Sequence, residues 1–410
     1  MQHSVDRPAP SSPEEQMLRD ALGEDLDGEL RVLSREPYGS GALTGFEEAG
    51  EQSRYWYVDT SGKRVDAETG FVLGDPERPE ARIWLHPADP RLPALAPASF
   101  PEAAATLMGR LGVSIDRRPE LLVYRPGKRA MFRMRAGDRE TYLKIVRPTA
   151  SASIVQLQER LREGGVPVPH ITGWSELGIV LTETADGVAL PARLAEIEPA
   201  RLLDSIDALR TAIAAVDLGR EARASLATRH DWYLERTTVA LERHAQRGVD
   251  VAALAEPLLA LTAMITGPDA SALVVEPEQL RTIHGDLHVG QLFVSPDDPS
   301  RVSGVIDIDT AGLGDPVDDE AALLGHLVAS IGLTTDAARA VGFRRLLDAA
   351  ADRWLASHRP ERARVVHRTA VHVLAHALAP IERGDLAAAE TQLRVGLAVL
   401  RPDEDERALI

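Results

Sequence analysis

Between Glu120 and Thr182 short β-prone runs alternate with turn signals, and beyond Gly187 the chain turns almost wholly helical. That change of period restricts the fold class before any single residue is weighed. Leu121–Tyr124, Ala130–Arg135 and Thr141–Val146 read as strands, with turns at Pro126-Gly127 and Gly137-Asp138. A helix is expected from about Ser151 to Arg162, ended by Gly164-Gly165. Two further strands fit Ile171–Ser175 and Gly178–Thr182. Helices follow at Leu190–Leu218, Arg229–Gln246 and Val251–Thr266, and again from Glu320 to the end. A strand pair near Leu292–Ser295 and Val302–Ile308 interrupts them. The expectation is an α+β chain with a β-rich lobe at 116–187 and a helical lobe at 188–410. Residues 1–28 read as a loose polar tail with one short helix, Pro13–Leu22, and 29–115 as an added cap, partly β, with a helix from about Pro101 to Leu111.

Composition excludes several classes. The 410 residues, 44% hydrophobic and 27% charged, suit a soluble globular chain of two or three domains. No uninterrupted apolar stretch reaches membrane-spanning length, and the N-terminus lacks the basic-then-apolar order of a signal peptide. With no cysteine there is no disulfide, thiolate or Cys-ligated zinc, and a cytoplasmic location is the default. The net charge of −17 argues against non-specific nucleic-acid binding. Oligomeric state is left open. Only Lys63, Lys128 and Lys144 among the 46 basic residues are lysines, and asparagine is absent, so each lysine poses a question.

The chemistry concentrates in Ile283-His284-Gly285-Asp286-Leu287-His288-Val289-Gly290-Gln291, followed after a turn by Val305-Ile306-Asp307-Ile308-Asp309. Phosphoryl transfer needs a carboxylate to take or orient a hydroxyl proton, oxygen ligands for Mg²⁺, and a cation for the nucleotide phosphates. Asp286 can serve as the first. Gln291 offers a carbonyl oxygen, and the hairpin should return Asp307 beside it, a donor pair that suits Mg²⁺. On the third strand of the lobe, alternation puts Leu143 and Ile145 on one face and Lys144 on the other.

These residues carry a resemblance. H-G-D-L-H-x-x-Q with I-D-x-D and G-D-P resembles the aminoglycoside phosphotransferase superfamily, whose relatives include choline, maltose, glucosamine and homoserine kinases, similar in fold to protein kinases. The likeness covers roughly residues 116–380 and implies a bilobal kinase-like fold. It implies ATP and Mg²⁺ as cofactors, Asp286 as catalytic base, Gln291 and Asp307 as metal ligands, and Lys144 as the phosphate-binding lysine. Asp309 could ligate a second Mg²⁺ or cap the next turn. His288 stands where protein kinases carry a lysine and could touch the transferring phosphate. Tyr124-Arg125-Pro126-Gly127-Lys128-Arg129 departs from G-x-G-x-x-G, yet Lys128 or Arg129 could help it cover phosphates. Glu159 is the nearest candidate partner for Lys144, and Glu183 and Ala185 fall at the inter-lobe hinge that reads adenine. His284 is expected to anchor the loop, Asp315 to brace it, and Asp318, Asp319 and Glu320 to cap a helix start.

Function then reads as transfer of the γ-phosphate of ATP to a hydroxyl of a small molecule, a sugar or amino sugar first, an aminoglycoside or other antibiotic as the alternative. A catalytically silent nucleotide-binding pseudokinase is a further alternative. A metal hydrolase built on His284, Asp286, His288, Asp307 and Asp309 leaves Lys144 without a role. A protein kinase would need a longer activation segment than Thr310–Pro316. His367, His372 and His376 share one helix but lack carboxylates to complete a metal site.

Overall fold

The computed structural model describes residues 12–401 apart from 66–68, 76, 138, 268–272 and 357. The chain divides into two compact units, one formed up to Gln156 together with His170–Thr184, the other by Leu157–Pro169 and the chain from Ala185 onward. The class is α+β, β-rich in the first unit and mostly helical in the second. No helix among the described residues is long and apolar enough to cross a membrane.

In the first unit, α1 (Pro13–Leu22) precedes β1 (Leu30–Tyr38), β2 (Gly41–Glu48), β3 (Arg54–Asp59), β4 (Phe71–Asp75) and β5 (Arg78–Leu85). These strands form an antiparallel sheet of order β1-β2-β3-β5-β4. Ser12 caps α1 through its hydroxyl, which accepts from Glu15 N. Leu18, Leu22 and Leu26 then pack on Phe46, Trp56, Val58 and Ile83. From Ser12 onward, therefore, the stretch expected to be a loose tail is part of the cap's core. Its hydrophobic residues are few and spaced one turn apart, so a compositional reading misses them.

Helices α2 (Leu95–Ser99) and α3 (Pro101–Arg110) lead to a second antiparallel sheet. It contains β6 (Glu120–Arg125), β7 (Arg129–Ala136), β8 (Arg139–Val146), β9 (Ile171–Ser175) and β10 (Ile179–Glu183), ordered β6-β7-β8-β10-β9, with α4 (Pro148–Glu163) inserted after β8. Leu143 and Ile145 face an apolar cluster with Phe132, Met134, Ile179 and Leu181.

The second unit runs β11 (Val188–Ala189), α5 (Pro199–Ala214), α6 (His230–Gln246), α7 (Ala255–Thr266), β12 (Arg281–Ile283), β13 (Leu292–Val294), β14 (Val302–Val305) and β15 (Gly312–Gly314). Then come α8 (Val317–Leu333), α9 (Ala337–Trp354), α10 (Arg362–Arg383) and α11 (Leu386–Leu400). The single helix expected over Leu190–Leu218 is instead a one-turn 3₁₀ segment, Leu190–Ala192, followed by α5. Pro191 and Pro199 explain the break, because proline is tolerated in a first helical turn and not inside. Val365, Ala370, Val371, Leu374, Ala377 and Ile381 of α10 are fully buried in the main cluster.

Candidate active site

Two short antiparallel pairings set the geometry. β13 pairs with β14, Leu292 opposite Val305, and β12 pairs with β15, Ile283 opposite Gly312. Loops 284–291 and 306–311 thereby leave neighbouring strand ends, and hydrogen bonds lace them together. Ile306 N donates to Gln291 O at 3.0 Å. His284 Nε2 donates to Ile306 O at 3.1 Å, and Thr310 Oγ1 donates to His284 O at 2.8 Å. Gly285 adopts φ 82°, and a Cβ there would stand 2.7 Å from Thr310 O, so the crossing needs glycine.

A carboxylate fixes the first loop from below. Asp319 on α8 accepts His284 N at 2.9 Å and Gly285 N at 2.8 Å, and is buried. This is loop bracing rather than the helix capping expected of it. Glu320 is likewise engaged elsewhere, by Arg210 and Arg359. Asp315 is gripped by Arg364 and Arg368.

Asp307 is the one non-glycine residue with positive φ among the described residues, at φ 60° and ψ 42°. A left-handed aspartate costs on the order of 1 kcal/mol. It persists here because the hairpin before it and the 3₁₀ turn Ile308–Thr310 after it, which holds Asp309, over-determine the backbone. Gln291 closes the turn Val289–Gln291 and is buried. Its Oε1 accepts no hydrogen bond among the described residues, an orphaned oxygen that calls for a ligand.

Asp286 lies between imidazoles. Burial pushes its carboxyl up, but His326 and the more distant His288 and His284 outweigh burial, so it is held below the ordinary aspartate value. His326 Nε2 stands 3.7 Å from Asp286 Oδ1, an ion-pair distance rather than a hydrogen bond. His288 accepts Gly290 N at its Nδ1 and stacks on His326. Burial and then the neighbouring His326 lower its pKa to about 4. His288 is therefore a neutral ring at pH 7.

Beside Asp286 opens a cavity of about 20 Å³, enough for one water-sized group. Arg223, Ser225, Gly285, Asp286, Asp318 and His372 line it. Burial raises the Asp318 carboxyl, and Arg368 at 2.6 Å opposes that shift.

The first unit holds the remaining candidates. Lys144 lies on β8, opposite Val180 in β10 and Met131 in β7, and is buried on the face away from Leu143 and Ile145. The turn before β7 is already engaged. Gly127 N donates to Asp89 at 2.6 Å, Gly127 O accepts Arg147 Nε at 2.8 Å, and Lys128 N donates to Arg125 O. Lys128 Nζ pairs with Glu36 of β1 at 2.7 Å. Asp89 and Glu36 of the cap thus engage Gly127 N and the Lys128 ammonium, and the Lys128 amide closes its own turn. Arg129 opens β7 half-buried. Glu159 is exposed on α4, a solvated position rather than a buried ion-pair partner. Glu183 lies 3.8 Å from both Arg139 and His170. The division between units falls just after Thr184, before Ala185.

The pattern of the phosphotransferase enzyme family (APH) matches residues 127–353, more than half of the chain. The chain belongs to that family. No curated protein matches it. Among solved structures, a thermostable mutant of aminoglycoside phosphotransferase APH(4)-Ia in apo form is 18% identical with a TM-score of 0.43, over 71% of this chain and 97% of that one. Aminoglycoside phosphotransferase APH(3'')-Id from Streptomyces rimosus is 21% identical, TM-score 0.40, over 68% and 98%. Macrolide 2'-phosphotransferase MphH from Brachybacterium faecium is 20% identical, TM-score 0.41, over 74% and 99%. These likenesses are distant, and membership rests on the family match.

Among the described residues of this phosphotransferase no three His, Cys, Asp or Glu side chains come together as a group that could hold a metal ion. His326 and Ser225 escaped the sequence reading. The signal for His326 was a lone imidazole in the apolar turn Leu324-Gly325-His326-Leu327 of a buried helix.

His372 and His376 of this phosphotransferase are held neutral, their pKa values lowered to about 3 by burial first and neighbouring imidazoles second. An unfolded histidine titrates near 6.5. The folded values are depressed, so the neutral rings stabilise fully above about 6.5, and that contribution fades as pH falls towards 3. Unfolding in urea at pH 7.5 and 5.5 should differ by about 2–3 kcal/mol from this pair alone. Equal stability at the two pH values would mean that the rings are not buried neutral.

Proposed function

We propose that the chain transfers the γ-phosphoryl group of ATP to a hydroxyl of a small molecule, a sugar or amino sugar by preference. Asp286 takes the hydroxyl proton, Gln291 and Asp307 hold Mg²⁺, and Lys144 binds the nucleotide phosphates. One observation carries the reading: loops 284–291 and 306–311 form one hydrogen-bonded unit. That unit has a carboxylate, Asp286, beside a hydroxyl-sized cavity, and carries Gln291 and Asp307 on its two adjoining loops.

The donor set supports magnesium. Mg²⁺ prefers oxygen, takes one or two protein ligands and completes its shell with water and phosphate. The orphaned Oε1 of Gln291 and the carboxylate of Asp307 meet that description. When bound, the ion would neutralise charge on the phosphates. The cavity's hydroxyl, guanidinium and two carboxylates favour an acceptor that is itself rich in hydroxyls.

The test is ADP release from ATP and Mg²⁺ across sugars, amino sugars, amino alcohols and aminoglycosides. A sugar or amino sugar should give the highest kcat/KM. Preference for an aminoglycoside would replace the acceptor class, and no ATP-dependent product with any acceptor would leave only nucleotide binding.

A further inference from the structure

The proposed chemistry gives no role to His326, the imidazole nearest the Asp286 carboxylate. His326 follows Gly325 on α8, and a Cβ at Gly325 would collide with the Cβ of His372 on α10. The missing side chain lets the two helices approach, which brings His326 against α10. Its ring centroid lies 4.4 Å from that of His376, planes tilted by 66°, and 4.1 Å from that of His288, planes within 22°. His376 comes from α10 and His288 from the loop that carries Asp286. A ring held by two neighbours has few rotamers left, so its Nε2 stays directed at Asp286 Oδ1, 3.7 Å away.

We infer that His326 is a positioning residue for Asp286, holding Oδ1 so that the other carboxylate oxygen faces the acceptor hydroxyl. This rests on the reading of Asp286 as the proton acceptor. An aspartate in a loop can turn about its terminal torsion, and a base must sit within hydrogen-bond reach of the proton it takes. The neighbours explain the choice of histidine. His288 uses Nδ1 on Gly290 N and offers His326 a ring face. His376 Nε2 and His372 Nδ1 have no hydrogen-bond partner among the described residues, so neither nitrogen draws the His326 ring away from Asp286.

The experiment is a double-mutant cycle on the full chain, read as kcat and KM from ADP release. The acceptor is the panel compound with the highest turnover, or water in ATP hydrolysis where none turns over. His326→Leu should lower kcat about 10- to 100-fold with the KM for ATP unchanged within about twofold. His326→Gln, which keeps an N–H near Oδ1, should recover to within about fivefold of the parent. In the Asp286→Asn background, His326→Leu should have no further effect. Full loss in the Gln variant as well, or an additive loss in the Asp286→Asn background, overturns the inference. So does an unchanged kcat in His326→Leu while Asp286→Asn is inactive, which leaves the base reading standing. Turnover that survives Asp286→Asn removes the base reading and this inference with it.

Discussion

Asp286→Asn is expected to lower turnover about 10²- to 10⁴-fold while nucleotide affinity stays within about twofold. The substitution keeps shape but removes the carboxylate charge, and with it the ability to take a proton. Asp286 is held ionised despite partial burial, because His326 and the neighbouring imidazoles outweigh desolvation. A charged carboxylate beside a cavity that admits one hydroxyl-sized group is free to accept a hydrogen bond from an acceptor hydroxyl, whereas Asp319 is buried and saturated by two backbone amides. The measurement is single-turnover ADP formation beside a nucleotide-binding titration. Retained turnover would mean that the acceptor proton leaves by another route.

Local periodicity made most of the lobe around Lys144 legible. The alternation Leu143-Lys144-Ile145 requires one polar residue to face away from the core, and turn residues bound each strand on both sides. The loop motif also placed Asp286, Gln291 and Asp307 on adjoining loops, because a hairpin of known length must return. What the sequence did not reveal depends on contacts between distant segments. Nothing near Gly127 announces that Asp89 takes its amide, and nothing near Lys128 announces Glu36. The close approach at Gly325 that brings His326 towards the loop is written in a glycine that, within its own helix, reads only as a weak helix former.

Asp307→Asn separates charge from backbone at the proposed metal position. Asparagine accepts the left-handed region nearly as well as aspartate, so φ 60° should survive and unfolding stability should change by less than about 1 kcal/mol. The carboxylate charge is lost, leaving Gln291 and a neutral amide, two weak ligands for a hard cation. The half-saturating Mg²⁺ concentration for ATP binding should rise about 10-fold or more, and turnover at fixed Mg²⁺ should fall about 10²- to 10³-fold. Asp307→Ala should share those losses and add on the order of 1 kcal/mol of instability, because a Cβ-bearing residue without a polar arm is less tolerant of that conformation. Magnesium titrations of nucleotide binding with paired urea unfolding check both halves. An Asn variant with unaltered Mg²⁺ dependence would remove Asp307 from the metal site, since its backbone would then be the feature that matters. Such a result would also leave the orphaned Gln291 oxygen needing a different ligand, because the proposed ion would then lack the only charged protein ligand assigned to it.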